Sequence, residues 1–254
     1  MRITATLVAA AACLMAVPLV ARPAAAQSSG DVTAYFALLS TPLGGLPPIA
    51  TNTILDEPHN GAAFALRYGH VGGDDVTSAF NNFGATAVLP WGTMSTFSLT
   101  GGIAHTSFDD GFTSSSNNSL MLSAGADTRL GDWPLSAARD AAKIVFGVNG
   151  ELGFAKPPGG TVWAGSVGLP ISLVSSRRRR DEMRFVPYIT PAFGFGDVSS
   201  DDTNRSDSGT RFLIGAGIAI YHRSNSVAVN AGLQYIPISG GHTQFGLGLV
   251  LGGR

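Results

Sequence analysis

In four stretches of this chain bulky apolar residues stand at alternate positions, and the positions between them are mostly small or polar. Phe245, Leu247, Leu249 and Leu251 alternate with Gly246, Gly248 and Val250; Val227, Val229, Ala231, Leu233 and Tyr235 alternate with Ala228, Asn230, Gly232 and Gln234. Phe212, Ile214, Ala216, Ile218 and Ile220 oppose Arg211, Gly215 and Gly217, and Ile144, Phe146, Val148, Leu152 and Phe154 oppose Gly147, Asn149, Glu151 and Gly153. A repeat of two belongs to the extended strand, whose successive side chains point to opposite faces. Each stretch is therefore a strand with one bulky face and one narrow face.

The pattern recurs upstream. Phe64, Leu66 and Tyr68 oppose Ala63, Ala65 and Arg67; Phe97, Leu99 and Ile103 oppose Ser98, Thr100 and Gly102; Leu120, Leu122, Ala124 and Ala126 oppose Ser123, Gly125, Asp127 and Arg129. Segments 83–89, 163–173 and 185–195 bring the expected number of strands to ten, within a range of eight to twelve. The last of them contains Pro187 and Pro191, each of which removes a ladder donor.

Composition decides what such strands build. Of 254 residues 33 are Gly and only 13% are charged, while 44% are apolar, which excludes disorder and makes a helical fold costly at about 1 kcal/mol per helical Gly. Sixteen basic residues against seventeen acidic ones supply no basic excess for a nucleic-acid partner. A soluble sandwich would dress its outer face with Lys, Glu and Thr, yet beyond residue 26 the only lysines are Lys143 and Lys156. Strands of nine to twelve residues suit a tilted crossing of a bilayer, and an even number returns both ends to one side. The expected fold is all-β: a closed antiparallel up-and-down membrane barrel with the bulky face toward lipid and the Gly-rich face toward a narrow lumen. The alternative is a soluble periplasmic β protein.

Residues 1–26 read as a cleaved secretory signal, with Arg2 before an apolar run and Ala24-Ala25-Ala26 as the cleavage site. The Pro-rich segment 27–60 reads as an N-terminal extension, and 61–254 as the barrel. With the N-terminal end in the periplasm, the long polar connections 109–119 and 197–209 are external.

In the lumen Arg67, Asp127, Arg129, Glu151 and Arg211 are expected to form a charge-pairing network, because ions in a narrow interior need partners. The run Arg177 to Arg180 reads as a solvated turn, and Asp197, Asp201, Asp202 and Asp207 as an acidic surface loop. The single Cys, Cys13, lies in the signal and the five histidines are scattered, so neither a disulfide, a zinc site nor another cofactor is expected.

The signal, the Gly-rich alternation and the C-terminal run together resemble small bacterial outer-membrane β-barrel proteins. Gln244, Gly246, Leu249 and Leu251 fill the four positions of the last-strand signal that the barrel-assembly machinery reads in that family. The resemblance implies an outer-membrane location, with outer-membrane lipid and the assembly machinery as partners, and a structural, surface-interaction or narrow-pore role. Within Gly102-Ile103-Ala104-His105-Thr106-Ser107 the pair His105 and Ser107 shares one face, so the imidazole can serve the hydroxyl as a base. This resembles the His-X-Ser dyad of outer-membrane phospholipase A and lipid A deacylase, with Asn117 or Asn118 as the orienting group. The resemblance implies an outer-leaflet lipid esterase as the alternative function.

Overall fold

The computed structural model describes residues 62–72, 78–109, 114–137, 142–156, 160–175, 183–200, 205–222, 227–236 and 242–252. The signal 1–26, the extension 27–60 and the Arg177 to Arg180 run lie outside the described residues. Eleven strands follow one another: β1 (Ala63–Gly72), β2 (Ser78–Pro90), β3 (Ser95–Asp109), β4 (Ser114–Pro134), β5 (Lys143–Ala155), β6 (Gly160–Gly168), β7 (Ile171–Val174), β8 (Met183–Ser200), β9 (Arg205–His222), β10 (Val227–Ile236) and β11 (His242–Gly252).

Antiparallel pairing runs in chain order around a ring, with β6 and β7 both lying between β5 and β8, and β11 pairs back onto β1 with Ala63 opposite Gly252 and Gly72 opposite Thr243. The sheet closes on itself and leaves no free edge. β6 and β7 are two halves of one stave. Gly168 faces Asn149 of β5 and Ala192 of β8, Ile171 faces Phe146 and Ile189, and the register is unchanged across the gap. Pro170 makes the gap because it has no N–H to donate, although its carbonyl still accepts from Gly147 N–H at 3.1 Å. The barrel therefore has ten staves, as the alternation predicts.

The two faces are inverted relative to a soluble protein. On β4, Leu120 and Leu122 are 75% and 63% exposed, while Met121 between them is 4% exposed and Ser119 and Ser123 on either side are 7% exposed. The same alternation places Phe64 and Leu66 outside with Ala63 and Ala65 inside on β1, and Val229 and Leu233 outside with Ala228 and Asn230 inside on β10. Glycine lets neighbouring staves close in. A Cβ on Gly102 would run into the carbonyl of Phe83 and the Cα of Gly84, so β2 and β3 keep their contact only without one.

The outward apolar band has two hydrogen-bonded borders. On β3 it runs from Ser95, whose hydroxyl meets that of Thr128 at 3.0 Å, through Phe97, Leu99 and Ile103 to His105, whose ring bonds Asn118 at 2.7 Å. Ten residues of strand rise about 34 Å, and a tilt of about 40° reduces that to a height of about 25 Å. That is the height of a bilayer-spanning apolar band.

The lumen is packed in layers. At the end holding Ala63 and Gly252, Ala63, Ala65, Val88, Val145, Val174, Val186, Tyr188, Ala219, Ala228 and Val250 form one apolar cluster contributed by eight of the ten staves. β3 and β4 put Thr96 and Asp127 into the interior instead, with the Thr96 hydroxyl donating to the carboxylate at 3.3 Å.

Two hairpins extend further than the sequence reading gives them. β3 reaches Asp109 and β4 begins at Ser114, so Asn117 and Asn118 lie in a strand rather than in a connection; β8 and β9 likewise carry their ladder to Ser200 and Arg205. Strand pairing is made by backbone groups, and polar side chains end the apolar band without ending the ladder.

Candidate functional site

Two polar constellations stand out, one inside the barrel and one on its outer rim. Inside, Arg67 of β1 and Glu151 of β5 meet across the lumen: Nη1 donates to Oε1 at 3.1 Å and Nη2 to Oε2 at 3.4 Å, with the side chains 10% and 4% exposed. The strand repeat turns both residues inward, between neighbours that face outward. Ser123 Oγ donates to the same Oε1 at 2.6 Å, Arg67 Nη1 reaches Thr100 Oγ1 at 3.4 Å, and the hydroxyls of Thr100 and Thr86 lie 2.8 Å apart. Five consecutive staves, β1 to β5, thus share one network. A forked guanidinium against a carboxylate satisfies both charges where little water is left to do so.

The remaining lumen charges are arranged differently. Arg129 Nη2 and Lys143 Nζ each donate to Asp132 Oδ2 at 2.7 Å, a cluster at the end of β4. Arg129 and Asp132 are three residues apart, a spacing that sets side chains on opposite faces of a regular strand. Leu130 is the reason they meet: it has no partner on β5, since Arg129 pairs with Gly147 and Gly131 with Phe146, and this bulge returns Asp132 to the face of Arg129. Sequence alternation alone assigns neither Asp132 nor Lys143 to the site. Asp127 accepts from Thr96, and the side chain of Arg211 lies outside the described residues. On the far wall Tyr188 crosses the bare backbone of Gly217 and donates to Asn230 Oδ1 at 2.8 Å.

On the outer rim, register aligns four polar residues from four adjacent staves. His70 of β1 is opposite Asn81 of β2, Asn81 is opposite His105 of β3, and His105 is opposite Asn118 of β4. His70 Nδ1–H donates to Asn81 Oδ1 at 2.9 Å, and Tyr68 OH donates to the same oxygen at 2.9 Å. His105 Nδ1–H donates to Asn118 Oδ1 at 2.7 Å. An imidazole whose Nδ1 carries the proton has its lone pair on Nε2. Ser107 lies two positions beyond His105 on β3, opposite Ala79 and Ser116; its side chain is not among those described. Of the two asparagines named from the sequence, Asn118 shares the face of His105, and Asn117 occupies the alternate position.

In the last strand Leu249 and Leu251 face outward and Gly246 inward, with Gln244 opposite Gln234 and Val71.

No family model matches the chain, and no curated protein matches it. Among solved structures the chain is similar to the transport unit of the autotransporter AIDA-I from Escherichia coli, at 13% identity and a TM-score of 0.46 over 89% of this chain and 98% of that one. It is also similar to the translocator domain of the autotransporter NalP from Neisseria meningitidis, at 14% identity and 0.40 over 78% of this chain and 90% of that one. Ail, the attachment invasion locus protein of Yersinia pestis, aligns at 14% identity and 0.30 over 77% of this chain and 99% of that one. The barrel description rests on the chain's own strand pairing.

Proposed function

We propose that this protein is an outer-membrane β-barrel with a closed lumen, serving a structural or surface-interaction role rather than conduction. The observation that carries the reading is the girdle. Every stave turns at least one large apolar residue outward and exposed, from Phe64 and Phe83 through Leu120, Phe146, Trp163 and Phe185 to Phe212, Leu233 and Leu247. Such a surface is stable where its surroundings are hydrocarbon, and closure satisfies the backbone without water. The signal at 1–26 supports export, and Gln244, Gly246, Leu249 and Leu251 on the closing strand support recognition by the assembly machinery. The apolar cluster at the end bearing both strand termini supports closure, since it brings buried side chains from eight staves together there. That end is the periplasmic one in this reading, and the His70 to Asn118 row lies at the outer leaflet. Envelope fractionation with heat-modifiable gel mobility tests it: the protein should stay with the sarkosyl-insoluble membrane and migrate faster unboiled. Recovery in osmotic-shock fluid would establish a soluble periplasmic protein instead.

The bond from His105 to Asn118 favours a second reading, an esterase acting on outer-leaflet lipid. Asn118 holds Nδ1–H, which leaves Nε2 as the base for the Ser107 hydroxyl. Ser107 Oγ would attack the ester carbonyl as Nε2 takes its proton; the departing alcohol recovers that proton, and water then releases the acyl group from Ser107. Hydrolysis of a phospholipid by the purified protein, abolished in Ser107→Ala and lowered at least tenfold in Asn118→Ala, is the expected result of this reading. Equal rates in all three proteins would remove it.

A further inference from the structure

We infer that the rim row His70, Asn81, His105 and Asn118 is a recognition strip for the saccharide headgroup of a glycolipid. The inference rests on the outer-membrane reading and is independent of Ser107. Its basis is the set of hydrogen-bonding atoms that remain after the internal bonds are made. Each imidazole has given its Nδ1–H to an asparagine Oδ1, so the acceptor that His70 and His105 have left to offer is the lone pair at Nε2. Asn81 Oδ1 is taken by His70 and Tyr68, and Asn118 Oδ1 by His105, so both amides offer Nδ2–H donors. Read across the staves, the row alternates acceptor, donor, acceptor, donor at the inter-strand spacing of about 4.8 Å.

Sugar hydroxyls both donate and accept, and they meet such an alternation at any orientation of the ring. An anionic headgroup does not suit it, because no Lys or Arg stands in the row. Depth agrees. The row marks the upper border of the apolar band, one side-chain repeat above Tyr68 and Phe83, whose rings pack 4.8 Å apart and give a sugar an aromatic surface beside the hydrogen-bonding strip. A headgroup whose acyl chains lie against Phe83 and the band below it reaches this height.

The test uses the full chain in phosphatidylcholine nanodiscs that contain a glycosyl diacylglycerol, phosphatidylglycerol, or neither, with a soluble methyl glycoside as a fourth arm. Retention of the glycolipid should exceed that of phosphatidylglycerol, and Asn81→Leu with His105→Phe should lower it about tenfold. Ser95→Ala at the opposite border should leave it unchanged. Equivalent, row-dependent binding of the methyl glycoside would support the same saccharide chemistry with a free sugar as its source; binding of the glycolipid alone places the source in the membrane. Insertion is read separately by heat-modifiable mobility. A chain that inserts and retains both lipids equally, or retains glycolipid unchanged in the double variant, overturns the proposal and leaves the membrane reading standing. A chain that does not insert overturns that reading, and this one with it.

Discussion

Arg67 and Glu151 are separated by 84 positions in the chain and by 3.1 Å in the lumen. Each alone would be an ion stranded among apolar and hydroxyl groups, so the pair stabilises the barrel mainly by the penalty its disruption would incur. Glu151→Ala should cost about 3–5 kcal/mol because it leaves the guanidinium buried without its carboxylate, whereas the paired change Arg67→Met with Glu151→Leu should cost far less. Urea unfolding in lipid vesicles distinguishes them, and equal losses would show that the charges act independently. The sequence made the inward facing of both residues legible, since facing follows from parity along a strand. Their meeting was not legible, because it depends on how five staves are staggered. Asp132 shows the complementary failure, where a single unpaired residue, Leu130, reverses the parity on which the reading depends.

A stave presents two solvents with one backbone, and substitutions should follow the face rather than the residue type. Leu122→Arg, outward in the middle of β4, should destabilise the inserted protein by about 2–4 kcal/mol. Thr86→Val, inward on β2, should cost about 1 kcal/mol through the lost hydroxyl pair with Thr100. Urea midpoints in the same vesicles measure both, and a larger cost for the inward change would contradict the assigned faces. Ten strands were legible because their apolar alternation survives even where Pro170 interrupts the ladder. Strand ends were less so: at Asn117 and Asn118 hydrophobicity stops and hydrogen bonding continues, and side-chain polarity records only the first.

For the molecule as a whole, closure of the sheet and filling of the lumen are separate matters. The apolar cluster that includes Val145, Val174, Val186 and Val250 narrows one end of the interior beside the buried Thr96 and Asp127, and an apolar constriction of this kind opposes the passage of ions. Planar bilayers should therefore record no steps from the wild-type protein, and glycine at Val145, Val186 and Val250 together should produce them; steady wild-type conductance would assign a pore. By itself the sequence determined the strand repeat, the two faces and the even number of staves, because period and side-chain size are local properties that each segment carries alone. Only the tertiary structure decided that valines from distant strands converge into one cluster, that Glu151 is the partner of Arg67, and that two histidines and two asparagines form one row. Those depend on register, which is the accumulated stagger of every hairpin around the ring and is recorded in no single strand.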